Sequence, residues 1–150
     1  MAAAPMPAGQ APAKTLKWQT PSGWKELPGS GMRVATMVPP GAGKIEMTVT
    51  AFPGDVGGEL ANVNRWRGQI GLKPLEEAGL IKARQSLVSK AGPIALFDFT
   101  SEGAAKTRLV AGAIFSGDST WFFKLMGDEE PVAAARPAFV SLLRGLRAAK

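Results

Sequence analysis

The sequence predicts an α+β fold in which an antiparallel β-sheet is sandwiched by helices. Runs of β-type residues follow one another with short turns rich in Gly, Pro and Ser, the pattern of an antiparallel meander rather than of βαβ units. Helical patterns lie between two groups of strands and after the last one. The chain has 150 residues, the size of one domain, and its 45% apolar and 20% charged composition is that of a globular protein.

The strands are predicted from alternation and from the turns that bound them. Met32–Val38 is rich in β-forming residues, and Lys44–Phe52 alternates between apolar and polar side chains. Further strands are predicted at Ser86–Lys90, Ile94–Thr100, Lys106–Phe115 and Thr120–Met126. The tight turn Ser116-Gly117-Asp118 predicts that the two strands beside it pair antiparallel.

Three helices are expected, at Gly57–Ile70, at Pro74–Ile81 and between Pro131 and Leu146. Pro74 suits the opening residue of the second helix. In the third, apolar residues spaced i, i+3, i+4 and i+7 predict a stripe that faces the core; they are Phe139, Leu142, Leu143 and Leu146. Pro137 is expected to begin this helix or to kink a longer one.

Composition excludes several classes of function. The chain contains no cysteine and no histidine, which excludes disulfide scaffolds, thiolate metal sites and Ser-His-Asp or Cys-His catalysis. No cofactor and no metal are therefore expected. The net charge of +6 is compatible with an acidic partner, nucleic acid or an anionic membrane, but Lys and Arg are spread along the whole length.

Residues Met1–Lys14 consist mostly of Ala, Pro and Gly, with almost no charge. This composition predicts a flexible tether ahead of a single globular domain at 15–150. Tethers of this kind often follow the cleavage or lipid-attachment site of an exported bacterial protein, which favours the periplasm or cell envelope. A cytoplasmic protein with a disordered N-terminus has the same pattern.

The densest chemistry lies in Gly54–Leu72, at the first predicted helix. At 100° per residue, Leu60, Val63, Trp66 and Ile70 fall on one arc that suits core packing. The opposite side carries Asn62, Arg65 and Gln69. A guanidinium flanked by amides suits carboxylates or backbone groups of a partner, so these three residues are the predicted partner-binding stripe. A solvated face is the simpler alternative.

A second set of polar residues borders the apolar arc of this helix. Asn64 and Arg67 lie at its edge and are expected to be structural groups that tie the helix to the loop before it. Asp55 is a plausible N-cap, since its carboxylate can accept a free amide of the first turn. The alternative is a small enzyme or ligand binder that uses Asp55, Asn64 and Arg65 in a polar pocket. The glycines there lack the spacing of a phosphate loop.

A weaker alternative is binding to nucleic acid or to an anionic membrane. Trp121, Phe122 and Phe123 lie beside Lys124 and could form a stacking platform for bases. Adjacent residues of a strand face opposite sides of a sheet, however, so part of this aromatic run must belong to the core. Such a binder would have a one-sided basic surface and a steep salt dependence.

Two patches of the chain resemble PsbP/Mog1-like domains. Trp18-Gln19-Thr20-Pro21-Ser22-Gly23-Trp24 is similar to the aromatic-x-x-Pro-x-Gly-Trp opening of these domains. The strand at 120–127 followed by a helix with Phe139, Leu142 and Leu143 is similar to their ending. The resemblance spans about residues 18–147 and implies a non-enzymatic binding or assembly module, close to a bacterial subgroup of uncharacterised exported proteins or lipoproteins. Its partner would be another protein or an envelope component.

Overall fold

Nine strands and three helices form the part of the chain described by the computed structural model, residues 16–41, 43–54 and 58–149. The strands are β1 (Leu16–Lys17), β2 (Lys25–Ser30), β3 (Arg33–Val38), β4 (Ile45–Pro53), β5 (Gln85–Ser89), β6 (Gly92–Thr100), β7 (Thr107–Ser116), β8 (Ser119–Asp128) and β9 (Arg147–Ala148). The helices are α1 (Glu59–Gln69), α2 (Glu77–Ala83) and α3 (Glu129–Arg144). The predicted tether at 1–14 lies outside the described residues.

Seven of the strands form one antiparallel sheet in the order β2-β3-β4-β8-β7-β6-β5. Two meanders, β2 to β4 and β5 to β8, are therefore joined side by side where β4 pairs with β8. The helices α1 and α2 connect the two meanders. The short strands β1 and β9 pair with each other in a separate two-stranded sheet, with Leu16 opposite Ala148.

The hairpin between β7 and β8 confirms the predicted tight turn. Ser116 pairs with Ser119, so the turn contains only Gly117 and Asp118. Both have positive φ, 60° and 62°, as a two-residue turn of type I′ requires. The turn sets the register of β7 against β8, which positions the sheet residues beneath α1.

Helices cover both faces of the large sheet and confirm the predicted sandwich. On one face, α3 packs with Leu16 and with residues of β3 to β8, including Trp121 and Phe123. Its predicted apolar stripe is buried as expected. On the other face, α1 and α2 pack against a second cluster that includes Phe97, Phe99 and Phe122. These two layers of apolar contact form the core.

One expectation about proline and one about the strands need correction. Pro74 does not open α2, which begins at Glu77. Pro137 does not begin α3 but lies inside this longer helix, the second of its two expected positions; it is exposed, so the carbonyl that loses its partner can bond to water. Strand β2 was not predicted. It is an edge strand, and all six of its residues are exposed.

An ion cluster fixes α3 to the sheet. Asp98 of β6 accepts hydrogen bonds from Arg108 of β7 (Nε to Oδ1 2.9 Å, Nη2 to Oδ2 2.6 Å) and from Arg136 of α3 (Nε to Oδ2 2.8 Å). Partial burial acts to raise the pKa of Asp98, but the hydrogen bonds and charges of the two arginines outweigh it, so this pKa lies below its usual range. The carboxylate is therefore held in its charged form.

Candidate functional site

The core stripe of α1 is placed as predicted. Val63, Trp66 and Ile70 are buried against the sheet. The Trp66 ring meets Phe122 edge-on, with ring centroids 5.3 Å apart, and lies 6.3 Å from the Phe97 ring. Trp66 is therefore a core residue and fixes how α1 sits on the sheet.

The polar border of α1 attaches the helix to the loop that follows it. The Asn64 side chain donates to the carbonyl of Leu75 (3.0 Å) and accepts from the Leu75 amide (2.7 Å). Arg67 Nε donates to the carbonyl of Lys73 (2.7 Å), and its guanidinium lies 4.8 Å from the centre of the Phe99 ring. Both side chains thus contact the loop after α1, whereas the sequence predicted contact with the loop before it. Asp55 lies outside the described residues.

Replacing Asn64 with alanine is expected to lower the free energy of unfolding by about 1–3 kcal/mol, because both polar groups of Leu75 lose their partner. Urea denaturation measures the change. Gln85→Ala removes an exposed amide and should stay within about 0.5 kcal/mol of the parent. Equal stability of the two variants would show that the paired hydrogen bonds do not hold the loop.

The predicted partner-binding stripe divides into a buried and an exposed part. Asn62 is only 6% exposed, contrary to the expected open face, and its Nδ2 donates to the Gly58 carbonyl at the start of α1 (2.8 Å). Arg65 is exposed and donates from Nη1 to Oδ1 of Asn62 (2.8 Å). Gln69 is exposed and accepts from Nζ of Lys124 on β8 (2.9 Å). Asn62 thus positions Arg65.

Three cations from separate elements form a basic cluster, defined here as Arg33, Arg65 and Lys124. Burial lowers the pKa of Lys124, and the positive charges of Arg65 and Arg33 lower it further, while Glu46 acts in the opposite direction. Within residues 16–41, 43–54 and 58–149, no member of the cluster forms a salt bridge with a carboxylate. A depression of about 470 Å³ lined in part by Arg33, Glu46 and Lys124 adjoins it.

An apolar groove of about 550 Å³ lies between α1 and strands β5 to β8. Its walls include Val63, Trp66, Phe97 and Phe122. Polar groups line it at only a few points, among them Asn62, Ser86 and Thr120. Concave sites of about 300–1,000 Å³ with mostly apolar walls and a few polar groups are typical of small-molecule binding.

The groove exists because small side chains meet across the strands. Ala95 of β6 pairs with Ala113 of β7, with Ser86 and Phe122 next in the same row across the sheet. In the neighbouring row, Phe97 pairs with Ala111 and is fully buried. The alanine pair leaves space above the sheet that α1 does not fill, so Ala95 and Ala113 form a partly exposed floor.

The rim of the groove carries one ion pair and one exposed ring. Arg84 donates from Nε to Oε2 of Glu59 (3.0 Å), and its Nη2 contacts the other carboxylate oxygen. Phe115 is 55% exposed at the mouth. Arg65 approaches the rim through its hydrogen bond to Asn62, a groove residue. Arg84 is thus neutralised locally, whereas Arg65 has no carboxylate partner among residues 16–41, 43–54 and 58–149.

The described residues suggested for other chemistries have structural roles. Trp121, Phe122 and Phe123 are all buried, so their rings are not available for stacking on bases. Asn64 is bonded to Leu75 and lines neither the apolar groove nor the depression beside the basic cluster. The described ranges contain no group of three or more acidic side chains that could hold a metal ion.

Two solved structures share the fold of this chain. One is a protein from Bacteroides thetaiotaomicron VPI-5482, with a TM-score of 0.56 and 12% identity over 90% of this chain and 45% of that one. The other is LpqN, involved in cell envelope biogenesis of Mycobacterium tuberculosis, with a TM-score of 0.54 and 13% identity over 91% of this chain and 84% of that one. The chain thus spans about half the length of the Bacteroides protein.

The likeness to these proteins is one of fold alone at such identities. A scan against protein-family models found no matching model, and a search of the curated proteins found no significant match. Among the described residues, no helix has the length and apolar character needed to cross a membrane.

Proposed function

We propose that this chain is a non-enzymatic binding or assembly module of the bacterial cell envelope, of PsbP/Mog1-like type, exported and held near the membrane by an N-terminal tether. It contacts its partner, another protein or an envelope component, through Arg65 and Gln69 of α1 together with Lys124. The observation that carries this proposal is the basic cluster, in which three cations converge beside an exposed helix edge and none is paired with a carboxylate in the described ranges.

The cluster indicates a partner that carries carboxylate or phosphate groups. Arg65 offers a planar fork of donors, and Gln69 an amide held by Lys124, which together suit an oxyanion and its neighbouring polar groups. The mutual repulsion of Lys124 with Arg65 and Arg33 weakens when an anion binds. Binding is therefore expected to fall as the salt concentration rises.

A binding role is favoured over an enzymatic one by the state of Glu59, the carboxylate in the lining of the groove. Glu59 is paired with Arg84, so it is not a free general base. With no histidine or cysteine in the chain, few groups remain for acid–base or nucleophilic chemistry. An envelope role is supported by the fold shared with LpqN.

Quantitative pull-down from the detergent-solubilised envelope of its own cells tests the contact surface. The double variant Arg65→Ala/Gln69→Ala is expected to recover its partner at least tenfold less efficiently than the parent. The matched control Arg144→Ala/Gln85→Ala removes the same two side-chain types from exposed positions elsewhere and should recover the partner normally. Equal recovery by both double variants, at every salt concentration, would refute the proposed surface.

A further inference from the structure

We propose that the apolar groove binds the hydrocarbon chain of a single-chain anionic amphiphile, whose acidic group lies at the Arg65 end of the groove. The ligand is a small molecule and differs from the partner proposed above for the basic cluster. Such a ligand would contact the alanine floor and the aromatic walls with its hydrocarbon chain, and the charged rim with its acidic group.

The groove presents apolar surface that the described residues do not cover. Ala95 and Ala113 are partly exposed on the floor, although Trp66, Phe97 and Phe122 beside them are buried. Phe115 at the mouth is 55% exposed. Contiguous open apolar surface in a concave site is typical of ligand grooves rather than of ordinary protein surface.

The volume and the lining favour one flexible chain. About 550 Å³ lies in the middle of the range of about 300–1,000 Å³ found for small-ligand pockets. Its aromatic and aliphatic walls offer few hydrogen-bond partners, so a ligand with polar groups along its length would leave them without partners. A hydrocarbon chain has no such groups and can follow the floor between α1 and the strands.

The charges at the rim select the sign of the head group. Glu59 is the carboxylate of the lining, and it is already paired with Arg84. Arg65 has no carboxylate partner in the described ranges, and Lys124 and Arg33 add to the positive potential around it. An acidic head group thus meets a cation that no carboxylate of the described ranges pairs with, whereas a cationic head group meets repulsion.

Isothermal titration calorimetry with the full chain tests this proposal with three probes below their aggregation concentration: dodecanoate, dodecanol and acetate. Dodecanoate is expected to bind with one-to-one stoichiometry, dodecanol at least tenfold more weakly, and acetate not measurably. Arg65→Gln should reduce dodecanoate affinity to that of dodecanol. Absence of dodecanoate binding by the parent protein would overturn the proposal, and equal affinity for dodecanoate and dodecanol would overturn the assigned head group.

Two variants test whether the chain occupies the groove. Ala113→Leu fills the floor and should weaken dodecanoate binding at least tenfold, while the matched change Ala61→Leu, at an exposed position of α1 outside the groove, should not. Phe115→Glu places a negative charge at an exposed mouth position and should also weaken binding tenfold, which provides a second test if Ala113→Leu does not fold. Unchanged binding in a folded floor variant would overturn the proposal.

The outcome can be separated from that of the proposed function. Ala113 does not belong to the basic cluster. The Ala113→Leu variant should therefore lose its affinity for dodecanoate and still recover the envelope partner in the pull-down. If the parent protein does not bind dodecanoate, its capture of the envelope partner should be unchanged. Equal partner recovery by both double variants would refute the partner surface without changing the dodecanoate affinity expected of the parent protein.

Discussion

Replacing Phe139 with alanine is expected to lower the free energy of unfolding by about 3–5 kcal/mol. Phe139 is fully buried in α3 and belongs to the cluster between this helix and the sheet. Removing its ring takes apolar surface out of the core and leaves a cavity, because the surrounding sheet and helix are held by their own hydrogen bonds and relax only in part. A loss of this size is a large part of a small domain's net stability of about 5–15 kcal/mol.

Chemical denaturation followed by tryptophan fluorescence measures this change. Phe115→Ala is the matched control, since it removes the same ring from an exposed position on β7 and should stay within about 0.5 kcal/mol of the parent. A cost below about 1 kcal/mol for Phe139→Ala would show that α3 does not pack on the sheet as described.

Replacing Asp98 with asparagine is expected to cost about 2–4 kcal/mol at pH 7. The Asp98 side chain is 14% exposed and accepts hydrogen bonds from both Arg108 and Arg136. Asparagine keeps the shape but removes the charge, and its amide nitrogen then faces a guanidinium. The two arginines, one on the sheet and one on α3, are left without the anion that holds them together.

The loss of stability caused by Asp98→Asn should be larger at neutral pH than at acidic pH. Because the pKa of Asp98 is lower in the folded protein than in the unfolded chain, its contribution is complete above the unfolded pKa of about 3.9. It is lost as the pH falls through the lower, folded pKa. The stability difference between the parent and Asp98→Asn should therefore be constant from pH 7 to about 5 and shrink below about pH 4.

Denaturation curves at pH 7, 5 and 3 measure this dependence. Asp118→Asn is the matched control, because Asp118 is exposed in the two-residue turn and asparagine tolerates positive φ. Its effect should stay within about 0.5 kcal/mol at each pH. A stability difference for Asp98→Asn that is the same at pH 7 and pH 3 would contradict the ion cluster.

Strands with one buried face could be predicted, and an exposed one could not. β4 alternates because Met47, Val49 and Ala51 are buried on one side, and period-two alternation is the direct mark of such a strand. The hairpin of β7 and β8 followed from its Gly-Asp turn. β2 contains Pro28 and Gly29 and has no buried residue, so neither composition nor alternation marked it.

The candidate site was predictable only where it depends on one helix. The helical period placed Val63 and Trp66 correctly in the core. It failed for Asn62, because the Asn62 side chain donates back to the Gly58 carbonyl, which also accepts the Asn62 backbone amide, and the residue is buried. The helical period alone does not contain this side-chain contact.

The groove and the basic cluster depend on contacts that are distant in sequence. Ala95 and Ala113 meet only through the register of β6 on β7, and Lys124 meets Gln69 only through the packing of α1 on β8. Alternate small residues in neighbouring strands were the one signal of the groove in the sequence. Without the strand register, the same alternation of small residues also fits a sheet surface that is closely packed against a helix.

The pairing of β1 with β9 places both ends of the described chain close together, which matters for where a tag or an anchor is attached. Leu16 and Leu146, next to these strands' ends, belong to the cluster on the α3 face, whereas the groove and the basic cluster lie on the α1 face. An attachment made at either end of the described chain therefore leaves from the α3 side. An attachment point there does not lie on the α1 face, which carries the groove and the basic cluster.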